Sequence, residues 1–251
     1  MQITKPLQLL CNLLLVSLLI SVLACEDKKT QPLLTSPFYD QAGAKLWKHR
    51  VNCLADVDSM ARLFPGIEID ITYMDSTARF ICSHGEPCSG ESLETLLSSI
   101  GTEHLPYVWL DFKNSDDSLV VAKSIVILKE KLTKLNLVER TIVETRNTRC
   151  LDSLTKYGLF SSYWVPHDYD KNPTYTNEEL TSMIRATIEQ HRPTVLSANY
   201  TMFNFLKAQF PNEFLHLWTN GLITDEHKTI INEMRDYPNT KVVLVDYPTL
   251  F

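Results

Sequence analysis

The chain has 251 residues, of which 44% are hydrophobic and 22% are charged, so it is long enough to bury a large core as one α/β barrel. The formal net charge is -6, and the sequence has no long basic run, which gives no electrostatic reason to expect nucleic-acid binding. No internal repeat is apparent, so repeat architectures are not indicated.

The N-terminal segment has the pattern of an export signal. Lys5 precedes an apolar run over Leu7–Leu23, and Ala24-Cys25 and a charged stretch follow. The pattern also resembles a bacterial lipoprotein signal, in which the Cys becomes the lipidated N-terminus. We therefore expect a signal peptide over residues 1–24, a lipidated Cys25 with a polar tether over residues 25–42, and an exported, membrane-anchored protein. The alternative is an uncleaved signal anchor, since the run is barely long enough to span a bilayer.

Four cysteines remain in the mature domain, namely Cys53, Cys82, Cys88 and Cys150. Export permits disulfides, and four cysteines allow three pairings that the sequence does not separate. Two or more buried free thiols are equally compatible with the pattern. The spacing is not a zinc signature.

Strands and helices alternate along the rest of the chain. Periodicity and capping residues predict main strands at 44–50, 66–71, 107–113, 141–146, 162–166, 194–198, 214–220 and 241–246, with a further short strand at 79–83. Helices are predicted at 55–64, 92–100, 116–135, 148–157, 177–191, 202–210 and 224–235. This order predicts a single (β/α)8 TIM-type barrel over residues 43–251. An open doubly wound sheet is the alternative, but no Gly-rich phosphate loop follows any strand.

The second predicted strand carries two neighbouring carboxylates. Ile67, Ile69 and Ile71 alternate with Glu68 and Asp70, so one face is apolar and the other presents both carboxylates. Because a buried carboxylate without a partner is very costly, this face is expected to meet a cation or solvent. An exposed edge strand with a polar face is the plainer alternative.

Polar residues concentrate where the predicted strands end. They are His49, Arg50, Glu68, Asp70, Asp111, Lys113, Glu144, Arg146, His167, Asn199, Trp218 and Asn220. In a barrel of parallel strands these positions share one rim, which is where such barrels keep their active sites. Glu144 and Arg146 could instead pair with each other. His216 lies in the middle of its strand and is interpreted as an interior residue.

With those residues in place, the chain resembles the glycerophosphodiester phosphodiesterase and phosphatidylinositol phospholipase C superfamily of barrels. The matching motifs, in order, are His49-Arg50, Glu68-Ile69-Asp70, His84, Asp111-Phe112-Lys113 and Trp218-Thr219. The His-Arg-Val-Asn opening also resembles the menorin-like branch of that superfamily. The resemblance covers essentially the whole mature domain and implies a phosphoric diester hydrolase acting on a glycerophosphodiester or a related phospholipid-derived diester.

The resemblance also implies roles for individual residues. His49 and His84 would be the general acid and base, and Arg50 would hold the phosphoryl oxygens with its planar guanidinium.

Three carboxylates would hold the metal ion. Glu68, Asp70 and Asp111 would ligate a divalent cation, Ca²⁺ or Mg²⁺, because all their donor atoms are oxygens. Lys113 would neutralise charge nearby, while Glu144 and Trp218 would contact the substrate, with Trp218 on its alcohol side.

The motifs depart from the usual phosphodiesterase pattern at several positions. Val51 follows His49-Arg50 where Gly is usual, Gly85 follows His84 where Asp is usual, and Asp111 stands where Glu is usual. The resemblance therefore indicates the fold and the phosphodiester class better than it indicates a glycerophosphodiester substrate. The alternative is a non-catalytic barrel of the same type that binds a phosphate-containing ligand.

Overall fold

A computed structural model describes residues 45–84, 90–101, 103, 105–166, 175–221 and 225–247. The expected signal peptide, Cys25, the tether, Cys88 and His167 lie outside these residues. Within the described part of the chain, no helix is long and apolar enough to cross a membrane.

The described residues form nine strands and seven α-helices. The strands are β1 (Leu46–Lys48), β2 (Gly66–Met74), β3 (Arg79–Cys82), β4 (Tyr107–Phe112), β5 (Thr141–Thr145), β6 (Phe160–Trp164), β7 (Val195–Asn199), β8 (Leu215–Trp218) and β9 (Thr240–Val245). The helices are α1 (Leu54–Leu63), α2 (Leu93–Ser98), α3 (Ser118–Lys134), α4 (Thr148–Lys156), α5 (Asn177–His191), α6 (Phe203–Gln209) and α7 (Asp225–Asp236).

Eight of the strands form a closed parallel barrel. Their order is β1-β9-β8-β7-β6-β5-β4-β2, and a β1–β2 pairing closes the ring. The ninth strand, β3, pairs with β2 in antiparallel fashion and lies outside the ring. The structure thus confirms the predicted (β/α)8 barrel. The short strand predicted near residue 79 is a hairpin partner of β2.

Strand alternation separates an outer core from the barrel interior. Ile67, Ile69 and Ile71 pack outward in a cluster with the surrounding helices. Trp47 and Trp109 fill the interior. A Cβ atom on Gly66 would lie 2.2 Å from Trp47 Cδ2, so only glycine leaves room for that ring. The interior is thereby packed, and polar side chains collect at the carboxyl end of the strands.

The first strand is shorter than predicted, because the backbone turns at its end. Arg50 has φ of 58°, in the left-handed region that residues with a Cβ rarely adopt. The regular strand ends there, but His49 N still donates to Val245 O at 3.0 Å and Val51 N donates to Glu68 O at 2.8 Å, so the turn stays bonded to both neighbouring strands.

The structure tests the predictions made for His216 and for the cysteines. His216 is fully buried on β8, against the rings of Trp47 and Trp109, which confirms its interpretation as an interior residue. Cys82 and Cys150 are buried free thiols, while Cys53 is disulfide-bonded. The four cysteines of the mature domain therefore do not form two disulfides.

Candidate active site at the carboxyl end of the barrel

One cavity at the carboxyl end of the strands brings the predicted site residues together. Its volume is about 180 Å³. The cavity is lined by all nine predicted catalytic, metal and substrate residues of the mature domain: His49, Arg50, Glu68, Asp70, His84, Asp111, Lys113, Glu144 and Trp218. It is smaller than the roughly 300–1,000 Å³ of pockets for drug-sized ligands. It therefore suits a phosphate and a small group attached to it.

Strand pairing sets the positions of three carboxylates. Glu68 and Asp70 are alternate residues of β2, so their side chains share the face that points into the cavity. Asp111 on β4 is the direct register partner of Asp70. Each of the three residues offers a carboxylate oxygen that lies within 4.8 Å of those of the other two.

The electrostatics of this cluster indicate that it suits a cation. Glu68 and Asp70 are each only 2% exposed. The pKa of Glu68 is raised well above its usual value, first by burial and then by the charges of Asp70 and Asp111. Burial also raises the pKa of Asp111, against the opposing effect of Lys113. An oxygen-only set that repels itself when ionised fits a hard divalent cation such as Ca²⁺ or Mg²⁺.

Lys113 follows β4 and reaches into the same cluster. Its Nζ donates to Asp70 Oδ1 at 2.5 Å and also to Asp111 Oδ2. Burial opposes the charged form of this lysine, but the two carboxylates outweigh burial and raise its pKa. Lys113 thus supplies a fixed positive charge beside the carboxylates.

His49 is oriented by a carboxylate at the end of the last strand. His49 Nδ1 and Asp246 Oδ1 are 2.8 Å apart, and His49 Nε2 lies 3.8 Å from Glu68 Oε2. Asp246 Oδ2 accepts a hydrogen bond from Gly221 N at 3.0 Å. Burial acts to raise the pKa of Asp246, but the contact with His49 and the bond from Gly221 lower it overall. One imidazole nitrogen is therefore held by Asp246 while the other faces the cavity.

Two residues of the turn after β1 make hydrogen bonds to the carboxylates of Glu68 and Asp70 on β2. The left-handed backbone of Arg50 directs its N–H to Glu68 Oε2 at 2.8 Å. Asn52 is fully buried and makes reciprocal bonds with Asp70, donating from Nδ2 to Oδ2 at 2.8 Å and accepting from the backbone N–H at 2.9 Å. The cluster therefore has its own supporting hydrogen bonds.

His84 reaches the cavity from the hairpin outside the barrel. Cys82 pairs with Ile71, and Ser83 N donates to Asp70 O at 3.1 Å, so the end of β3 is fixed to the strand that carries the carboxylates. His84 is exposed and close enough to Asp111 to act on its titration electrostatically. Residues 85–89 of this loop lie outside the described part of the chain.

Three tryptophan rings form an aromatic part of the cavity lining, and one of them, Trp109, is the register partner of Glu68. The ring of Trp218 meets Trp164 at a centroid distance of 6.0 Å and Trp109 at 6.5 Å, both edge to face. Arg146 stacks on Trp164 with its guanidinium carbon 3.9 Å from the ring centroid, and it does not line the cavity. The alternative that Arg146 pairs with Glu144 is therefore not what the structure shows.

Glu144 on β5 is the register partner of Asp111 and therefore lies next to the carboxylate cluster. It is 4% exposed, and its Oε1 has no hydrogen-bond partner among the described residues. Burial, and secondly the charge of Asp111, raise its pKa well above the usual value. Ser197 and Trp109 lie close enough to Glu144 to lower its pKa slightly, but neither side chain makes a hydrogen bond of good geometry with the carboxylate.

Sequence reasoning missed two supporting residues and undervalued one. Asp246 directly follows β9, so the strand-end rule that selected the other residues could have found it. Trp164 also ends a strand, but the sequence pattern did not separate a wall residue from a packing residue. Asn52 ends the His-Arg-Val-Asn opening that resembles the menorin-like branch, but it lies in an irregular turn that periodicity does not describe, so no supporting role was predicted for it.

No protein-family model and no curated protein matches this chain. Solved structures do match, at the level of the fold. A protein from Silicibacter pomeroyi assigned as a glycerophosphoryl diester phosphodiesterase shares 13% identity and a TM-score of 0.61 over 82% of this chain and 90% of its own. A glycerophosphodiester phosphodiesterase from Parabacteroides distasonis shares 12% identity and a TM-score of 0.59 over 82% of this chain and 94% of its own. The chain has the same fold as these proteins.

The same barrel also serves other chemistry. The N-(5'-phosphoribosyl)anthranilate isomerase of Pyrococcus furiosus matches with 11% identity and a TM-score of 0.50 over 80% of this chain and 87% of its own. At such identities the comparisons establish the fold, and function must be argued from the site.

Proposed function

We propose that the protein is a phosphoric diester hydrolase that uses a divalent cation. The observation that carries this proposal is the convergence of three carboxylates, two histidines, Arg50 and Lys113 on one small cavity at the barrel rim. The fold shared with the two phosphodiesterases supports the same reading. A glycerophosphodiester, or a related phospholipid-derived diester, is the substrate class proposed.

The histidines supply the proton transfers of this mechanism. His49 Nε2 faces the cavity, while Asp246 holds Nδ1 and fixes the orientation of the ring. His84 lines the same cavity from the neighbouring hairpin. One histidine takes the proton of the attacking group, and the other gives a proton to the departing alcohol.

The remaining charges act on the phosphoryl oxygens. Glu68, Asp70 and Asp111 would hold the divalent cation, which would polarise a phosphoryl oxygen and offset its charge. Arg50 at the rim and Lys113 beside the carboxylates contribute positive charge near the phosphate.

One observation favours a second candidate function. Lys113 contacts two of the three carboxylates, and so neutralises part of the cluster without any metal ion. A barrel with this internal counter-charge could bind a phosphate-containing ligand without hydrolysing it. The two functions differ in whether metal is needed and whether product forms.

Hydrolysis assays with metal control test the proposal. The purified protein is given bis(p-nitrophenyl) phosphate, glycerophosphodiesters and inositol phospholipids, each with Ca²⁺, with Mg²⁺ or with EDTA. We expect turnover that requires the cation and is lost in Glu68→Gln, whereas Glu189→Gln on the exposed face of α5 keeps full activity. A folded protein that binds the cation and cleaves none of these diesters would favour the binding function.

We also propose that the protein is exported and anchored to the membrane through a lipidated Cys25. The support is the sequence pattern around that residue. Metabolic labelling with a radioactive fatty acid is expected to mark the wild type and not Cys25→Ser. Equal labelling of both would contradict the anchor.

A further inference from the structure

The proposed chemistry does not use Lys48, a partly buried lysine that lies beside the cavity without lining it. Lys48 is the last residue of β1, and His49 follows it directly. Its Nζ donates to His49 O and to Asp246 O, each at 3.1 Å. These carbonyls belong to the two residues whose side chains meet at 2.8 Å, His49 through Nδ1 and Asp246 through Oδ1. One ammonium group therefore joins the backbones of both members of the histidine–carboxylate pair.

This contact lies where regular strand pairing ends. The pairing of β1 with β9 has three register pairs, and the last of them joins Lys48 to Val245. One more backbone hydrogen bond follows, from His49 N to Val245 O, and then the left-handed backbone of Arg50 turns the chain. Beyond that bond, the Lys48 ammonium links the two chain segments through their carbonyl oxygens. A side chain thus extends the closure of the ring to the level from which the imidazole of His49 projects.

The surroundings of Lys48 keep its ammonium group at these carbonyls. Partial burial opposes the charged form and lowers the pKa of Lys48, although the charges of Asp246 and Glu68 act in the opposite direction. An ammonium group that has lost part of its water needs acceptors from the protein, and the two carbonyl oxygens supply them. Lys48 is therefore held in place more firmly than a lysine in an exposed surface ion pair.

We propose that Lys48 is a positioning residue that holds the backbones of His49 and Asp246 together, so that His49 Nε2 stays directed into the cavity. This inference rests on the proposed phosphodiesterase function, in which His49 transfers a proton. A displacement of about 1 Å in a reacting group can lower the rate about a hundredfold, and the end of a three-residue strand needs support against such a displacement. Loss of the lysine should therefore lower kcat, whereas KM should change little.

Steady-state kinetics of three lysine variants test this role on bis(p-nitrophenyl) phosphate with Ca²⁺ or Mg²⁺. Lys48→Met removes the donors and Lys48→Arg keeps them, while Lys241→Met is the matched control, a partly buried lysine at the opposite end of β9 that packs over Phe214. We expect kcat to fall at least about tenfold in Lys48→Met, to recover largely in Lys48→Arg and to be unchanged in Lys241→Met. Wild-type kcat in Lys48→Met, or an equal loss in Lys241→Met, overturns the proposal. If Lys48→Met does not fold, Lys48→Gln replaces it with the same expected direction.

A spectroscopic measurement separates failure of this role from failure of the proposed function. The full chain carries isotope-labelled histidine, and nuclear magnetic resonance in EDTA identifies the His49 signals by their loss in His49→Gln. Because a carboxylate beside Nδ1 favours a proton there, the wild type should show an Nδ1 proton that exchanges slowly with water. Faster exchange in Lys48→Met, with the Lys241→Met signal unchanged, supports the positioning role even when no diester is cleaved. An unchanged signal in Lys48→Met overturns it.

Calcium binding and thermal melting test two competing roles for Lys48. If Lys48→Met weakens Ca²⁺ binding as much as Glu68→Gln does, then Lys48 acts on the metal site and the positioning role is wrong. If kcat of Lys48→Met falls only close to the melting temperature of that variant, then Lys48 serves stability alone and the proposal is equally wrong. Unchanged Ca²⁺ affinity, with kcat lowered far below the melting temperature, supports the positioning role.

Discussion

Asn52 is the residue whose removal best tests how the carboxylate cluster is held. Its amide satisfies both the Oδ2 and the backbone N–H of Asp70, at 2.8 and 2.9 Å. Asn52→Ala leaves both groups buried without these partners. A lost bond to a charged group is worth about 1.5–3 kcal/mol, and an unsatisfied buried N–H costs about 1–3 kcal/mol.

The expected loss in unfolding free energy is therefore about 3–5 kcal/mol. For a domain of this size each kcal/mol shifts the melting temperature by about 2–4 °C, so the transition should fall by roughly 10 °C in EDTA. Differential scanning calorimetry measures this shift. Asn212→Ala, an exposed asparagine, is the matched control and should change stability by less than about 0.5 kcal/mol.

Added Ca²⁺ extends the test to the metal site. A cation that binds only the folded state stabilises it by about 2.7 kcal/mol at a hundred times its dissociation constant. Because Asn52→Ala frees the position of Asp70, the variant should gain less from a given Ca²⁺ concentration than the wild type. A loss below about 1 kcal/mol in EDTA, with the full Ca²⁺ effect kept, would refute the idea that Asn52 positions this carboxylate.

Three further predictions concern single residues. Arg50→Gly removes about 1–2 kcal/mol of strain from the left-handed backbone, but glycine loses more conformational entropy on folding, so the free energy of unfolding measured by chemical denaturation should change by no more than about 1 kcal/mol. Hydrolysis should fall at least about a hundredfold, because the guanidinium that holds the phosphoryl oxygens is lost. Full activity of the variant would contradict this role of Arg50. Asp246→Asn removes the carboxylate that holds His49 Nδ1, so kcat should fall at least about tenfold while the melting temperature stays near that of the wild type; an unchanged kcat would count against Asp246 as the positioning residue of His49. Burial lowers the pKa of His216 from 6.5 to about 3, so the folded state stays neutral where the unfolded state binds a proton. The free energy of unfolding therefore falls as the pH is lowered from 6.5 towards 3, by at most about 1.4 kcal/mol per pH unit, because only the unfolded state takes up the proton. Denaturation curves recorded across this pH range should show a smaller pH dependence of stability for His216→Phe than for the wild type. An equal pH dependence in both proteins would contradict the lowered pKa of His216.

Much of the fold could be predicted because strand and helix signals agree along the chain. The helix predicted at 177–191 is found as Asn177–His191, where Thr176 and Glu179 form the capping box that starts it. The strand predicted at 162–166 begins earlier, at Phe160. Its sequence Phe160-Ser161-Ser162 is only weakly typical of a strand, and pairing with β5 overrides that local preference.

The residues that line the site could be predicted from the sequence, whereas the hydrogen bonds that hold them in position could be predicted less well. Glu68, Asp70 and Asp111 follow from the strand period and from the rule that the carboxyl ends of barrel strands share one rim. The hydrogen bond from Arg50 N to Glu68 depends on the left-handed backbone of Arg50. Because Arg50 is not a glycine, the sequence around it does not indicate this conformation. The contact of His49 with Asp246 joins the two ends of the barrel sequence and depends on ring closure.

The closure of the barrel has a consequence for how the protein loses activity. β1 has three residues and meets β2 through one register pair, Lys48 with Ile67, whereas β2 and β4 share six. Opening of the β1–β2 seam breaks fewer register pairs than opening any other seam of the ring, so this short strand should separate from β2 in the native state at a lower free energy than global unfolding. His49 and Arg50 are attached directly to its end. Warming should therefore abolish catalysis several degrees before the barrel melts, and amide protons of β1 should exchange with solvent sooner than those of β4.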